Sequence, residues 1–259
     1  MDLHGLFPIL APLLPSNHMS EDNYNFSPES IKRSHDFGTA SKAIALIRKT
    51  FQPRTKEFWD ETFLKRLRQL AIKIINTGPV ASKGNLQFTD GDISMLKIEF
   101  NSTRALSSLF EVRPELRFNN TDYLIISLPQ LNPKELCKYP KRATSIVVRF
   151  VCGIFHFDLQ KAGQTSSRDL EMPVGDYIFP GGKLRIPLQA AENSVVSVAM
   201  CVWYKSGGAK IKLSRYNCGG IIRSFNIVDG KITSFISTPK PQKPPLPPEQ
   251  QLDWELDGE

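Results

Sequence analysis

Residues 144–159 read TSIVVRFVCGIFHFDL. On a strand, where successive side chains alternate, Ile146, Val148, Phe150, Cys152 and Ile154 share one face, and Val147, Val151, Phe155 and Phe157 share the other. Both faces are largely apolar, the pattern of a central strand covered on two sides. The β-branched and aromatic content favours strand over helix, and Gly153 marks a bend or a close backbone approach. Residues 194–204, SVVSVAMCVWY, have the same character and form the natural packing partner.

The alternating period extends outward from these two strands. Leu86 and Phe88, the turn Thr89-Asp90-Gly91-Asp92, and Leu96, Ile98 and Phe100 predict a hairpin. Further strands are expected at 106–112, 123–128, 183–188, 211–213 and 220–225, with a closing hairpin of 225–228 and 232–236 around Asp229-Gly230. Turn signals at Pro140, Pro180-Gly181-Gly182 and Gly207-Gly208 have the spacing of a sandwich or barrel. Before residue 84 the period is helical. Ser27-Pro28 opens a helix with Ala40, Ile44, Ile47 and Phe51 on one face, closed by Pro53. A second helix carries Trp59, Phe63, Leu67, Leu70 and Ile74 and stops at Gly78-Pro79. The expected class is α+β: an extended arm (1–26), an N-terminal helical hairpin (27–78) packed on a mainly antiparallel β-sandwich (84–237), and a proline-rich acidic tail (238–259).

The chain has 259 residues, 41% hydrophobic and 23% charged, with no apolar run of the roughly 20 residues that a spanning helix needs. No membrane insertion is expected. The apolar run 6–14 is broken by Pro8 and Pro12 and preceded by Asp2, unlike a signal peptide. Four scattered cysteines, Cys137, Cys152, Cys201 and Cys218, lack zinc spacing. Read as inert core thiols they indicate a reducing, cytoplasmic setting. The alternative is a Cys152–Cys201 disulfide between sheets beside Trp203, as in immunoglobulin-type sandwiches. Net charge is +7; residues 239–259 hold two lysines and five acids, a balance of −3, which leaves +10 for the remainder. A basic body is compatible with a polyanion.

No motif identifies a reaction, a cofactor or a metal site. Asp36-Phe37-Gly38 lacks everything a kinase needs upstream, His156 reads as a structural histidine, and Asp90 and Asp92 read as turn residues. Aromatic residues gather at strand ends. Tyr177, Trp203 and Tyr204 are therefore candidates for stacking a glycan or a base, the alternative being that they plug the core. In the tail, Pro244, Pro247 and Trp254 are candidates for docking in a partner's groove.

Ser34-His-Asp-Phe-Gly-Thr-Ala-Ser41 with Ile47-Arg48, Asp60, residues 64–67 and residues 96–101 (LKIEFN) resembles a group of uncharacterised bacterial proteins of Bacteroidetes type. The resemblance covers about 70 residues and implies a bacterial origin, with no activity, ligand or catalytic residue attached. The residues favour a non-enzymatic interaction or assembly protein with a docking tail and an unidentified protein partner. The alternative is a carbohydrate- or nucleic-acid-binding β-sandwich module.

Overall fold

The computed structural model describes residues 26–119, 123–135, 139–156, 162–175, 178–188, 193–233 and 235. The class is α+β, with two helices and two antiparallel sheets among these residues. Helix α1 spans Pro28–Thr55; the Ser27 hydroxyl accepts from the Ser30 N–H at 3.2 Å, and Pro28 occupies the first turn, where a missing N–H costs nothing. Pro53 does not end α1. It sits in the last turn, and Thr55 closes that turn by donating its hydroxyl to the Phe51 carbonyl at 2.8 Å. A 3-10 turn, Lys56–Phe58, leads to α2, Phe63–Ile75, which buries Phe63, Leu67, Ala71, Ile74 and Ile75.

The hairpin expected across 86–100 is replaced by two 3-10 turns, Phe88–Asp90 and Ile93–Met95, before the short β1, Ile98–Glu99. The aspartates are responsible. Asp90 accepts from the Gln87 N–H at 2.8 Å and Asp92 from the Ser94 N–H at 3.0 Å, local bonds that compete with a ladder. Leu106–Ser108 is likewise a 3-10 turn rather than a strand, with the Ser108 hydroxyl donating to the Ala105 carbonyl at 2.7 Å.

The remaining elements are β2 (Glu115–Asn119), β3 (Tyr123–Leu128), β4 (Ser145–His156), β5 (Ala162–Pro173), β6 (Gly182–Pro187), β7 (Ser194–Ser206), β8 (Ala209–Lys210), β9 (Cys218–Val228) and β10 (Lys231–Thr233). Strands β2 and β5 fall where no strand is expected, and 211–213 lies outside the ladder. The large sheet runs β1-β9-β7-β4-β5, with β8 on β7 and β10 on β9; the small sheet runs β2-β3-β6. Asp229 and Gly230, at φ 49° and 70°, make the tight β9–β10 turn.

Each face of β4 and β7 supports its own core. Val147, Val151 and Phe155 of β4 join Val195, Ala199 and Trp203 of β7 beneath Ile47, Phe51 and Leu67 of the helices. Ile146, Val148, Phe150, Cys152 and Ile154 join Val196, Val198, Met200, Val202 and Tyr204 against Leu124, Ile126 and Ile186 of the small sheet. Gly153 lies under α1: an added Cβ would come within 2.9 Å of the Phe51 ring and 3.0 Å of the Thr50 methyl. The sequence left a bend or a close approach open at Gly153; the close approach is observed, and the β4–β5 register shifts just beyond it.

The alternation also separates Cys152 from Cys201. They lie in cores on opposite faces of one sheet, so they form no disulfide, and both are free and buried; Cys218 is buried in the same core as Cys152. Burial pushes the Cys152 thiol up to about 12 and the Cys201 thiol well above its usual range. Cys137 lies outside the described residues.

Candidate functional site

The end of α1 is rich in cations. Lys49, Arg54 and Lys56 are all exposed there, and the negative end of the helix dipole offsets part of their mutual repulsion. Together with Gln52, Pro53, Glu57 and Arg149 they line a groove of about 750 Å³ where α1 crosses the large sheet.

Arg149 projects from the helix-facing side of β4, opposite Asp169 of β5 and Cys201 of β7 in register. Its guanidinium grips Asp169 in bidentate fashion, Nε to Oδ1 at 2.7 Å and Nη2 to Oδ2 at 2.8 Å, while Nη1 points to the Arg54 carbonyl at 3.5 Å. The hydrogen bonds that Arg149 donates to Asp169 raise its pKa further, so its charge is permanent. Arg149 lies 4.8 Å from the centroid of the Trp203 ring. Lys210 of β8 approaches the same ring at 5.0 Å and Phe58 at 4.5 Å, while its ammonium pairs with Glu57 at 2.6 Å. Trp203 is thus buried behind Arg149, with two cations close to its ring.

This placement bears on the aromatic candidates. Trp203 is 5% exposed and Tyr204 2%, and they belong to cores on opposite faces of the large sheet. The Tyr204 ring meets Tyr216 edge-on at 6.2 Å. Neither ring is open for stacking a sugar or a base, because consecutive strand residues point to opposite sides and both sides here are covered. Tyr177, Pro244, Pro247 and Trp254 lie outside the described residues.

The groove was missed in the sequence. Arg149 carried the available signal, as the one charge between Ser145 and His156 in a strand otherwise buried on both faces. What the sequence could not show is that α1 ends beside it.

Cavities also occur elsewhere among the described residues. One, of about 390 Å³, lies between Ser34, His35, Gly38, Thr39 and Lys42 of α1 and residues 84–87. Another, of about 560 Å³, lies beside Glu99, with Leu106, Phe110, Met200 and Ile222 on its walls. Burial raises the Glu99 carboxyl against the opposing effects of the Leu106 N–H and Arg66, and its Oε2 has no hydrogen-bond partner among the described residues. Among those residues no three His, Cys, Asp or Glu side chains gather as for a metal ion, and no helix is long and apolar enough to cross a membrane.

Comparison with known proteins adds no relative: no family model, no curated protein and no solved structure matches this chain.

Proposed function

We propose that the protein is a non-enzymatic interaction protein that binds an acidic segment of a partner protein in the groove at the end of α1. One observation carries this reading: beside Arg149, the groove presents three exposed cations, Lys49, Arg54 and Lys56, that form no ion pair among the described residues. The acids nearby are already engaged, Glu57 by Lys210 and Asp169 by Arg149. The groove therefore offers unsatisfied positive charge, which favours partner choice and fast encounter with an acidic chain. The buried free thiols of Cys152 and Cys201 support a reducing compartment such as the cytoplasm as the setting.

The test is fluorescence anisotropy of a labelled decaglutamate peptide with the full chain at low salt. Combining Lys49→Glu, Arg54→Glu and Lys56→Glu weakens binding by about tenfold or more, with the thermal midpoint unchanged because these side chains contribute little to the core. Unchanged affinity in a folded variant would overturn the reading. So would tighter binding of a DNA duplex of equal charge, which would make nucleic acid the partner.

A further inference from the structure

We infer that the acidic C-terminal segment, residues 249–259, docks in the basic groove of its own chain and competes there with the partner; the inference rests on the reading of the groove given above. Charge complementarity is the first argument. The segment EQQLDWELDGE has five acids and no lysine or arginine, a charge opposite to that of the groove, whose cations Lys49, Arg54 and Lys56 are free of ion pairs among the described residues.

Pattern is the second. Leu252, Trp254 and Leu256 alternate with Asp253, Glu255 and Asp257. In an extended chain the three acids share one side at intervals of about 7 Å, and the apolar residues share the other. One side can then meet the cations along the groove.

Reach is the third. The described chain closes at Phe235, just past β10, whose Thr233 pairs with Asn226 of β9, which pairs in turn with Val195 of β7. Arg149 pairs with Cys201 on the same β7. From Val195 to Cys201 is about 20 Å along the strand, and three strand spacings across the sheet add about 14 Å, a diagonal of roughly 25 Å. Clearing the helix layer adds about 10 Å. Residues 236–248 include six prolines and are thirteen in number. At about 3.1 Å per residue a proline-rich spacer covers about 40 Å, which matches that path. A tether matched to its span holds the segment at an effective concentration in the millimolar range, so a few exposed ion pairs suffice to populate the docked form.

The experiment uses the full chain with Glu249→Gln, Asp253→Asn, Glu255→Gln, Asp257→Asn and Glu259→Gln combined. Neutralising the tail is expected to tighten binding of the decaglutamate probe by about tenfold, the factor by which a docked tether would occupy the groove. Zero-length carbodiimide coupling of the unaltered chain joins Lys49 or Lys56 to a carboxyl of 249–259, within one chain when isotope-labelled and unlabelled protein are mixed. Equal probe affinity and no such cross-link, while the groove triple variant still loses the probe, would overturn docking and leave the groove reading standing. Cross-links found solely between labelled and unlabelled chains would overturn it in favour of a second copy. If no version of the chain binds the probe, the groove reading fails and docking with it.

Discussion

Asp60 shows how much one side chain can organise. Its Oδ2 accepts from the Ser102 N–H at 2.6 Å and the Ser102 hydroxyl at 2.8 Å, while Oδ1 accepts from Thr62 at 2.9 Å and Arg66 at 3.1 Å. Arg66 then donates to the Glu99 carbonyl at 2.7 Å and the Phe100 carbonyl at 3.3 Å. The cluster ties the start of α2 to β1 and the loop after it. Burial by itself would raise the Asp60 carboxyl, but the Ser102, Thr62 and Arg66 hydrogen bonds outweigh it and hold the group well below the usual carboxylate range. Because the folded value lies below the unfolded value of about 4, the stabilisation is complete above that pH and is lost as pH falls toward the folded value. Asp60→Asn therefore costs about 2 kcal/mol at pH 7, and the gap to the unaltered chain narrows below pH ~4. Urea unfolding across pH checks this, and a gap independent of pH would refute it. At this scale the sequence is only partly legible. Asp60 and Ser102 are 42 positions apart, and nothing in their local context links them.

At the scale of elements, two glycines of the helical layer make opposite predictions. Gly38 sits inside α1, and a Cβ added there meets nothing within 4 Å. No close neighbour requires it, so Gly38→Ala should stabilise the fold by about 1 kcal/mol through helix propensity alone. Gly91, at an ordinary φ of −87°, packs against α2 so closely that a Cβ would fall 2.1 Å from the Ile74 carbonyl oxygen. Gly91→Ala should cost about 2 kcal/mol or more by forcing α2 away from the turn. Denaturant midpoints of the two variants on opposite sides of the parent test both statements. The same contrast explains which elements the sequence revealed. Strand β3 announces itself by alternation, β4 and β7 by β-branched and aromatic runs apolar on both faces, and α2 by its stripe. β5, reading AGQTSSRDLEMP, does not, because it is the terminal strand of the large sheet and is held by its ladder with β4 rather than by a run of apolar residues.

The molecule as a whole is built on one sheet with a core on each face. Val151 of β4 contributes to the helix-side core and Val198 of β7 to the core beneath the small sheet, yet both strands belong to both cores. Losing either core removes support from the same backbone. Val151→Ala and Val198→Ala should each cost about 2 kcal/mol, with tryptophan fluorescence and far-ultraviolet circular dichroism giving coincident transitions in both. Fluorescence reports the helix side, where Trp59 and Trp203 pack. Two separated transitions would mean that the layers unfold independently. The sequence by itself determined the class, the two central strands and the face of each of their residues, and the Asp229-Gly230 turn, because periodicity and turn chemistry act between neighbours in the chain. Only the tertiary structure decided that β1 pairs with β9 rather than with 86–88, that Cys152 and Cys201 lie on opposite faces, and that Trp203 is covered. It alone set Arg149 beside Lys49, Arg54 and Lys56, because that groove arises where a helix end crosses a strand about 100 residues later, a separation no local pattern encodes.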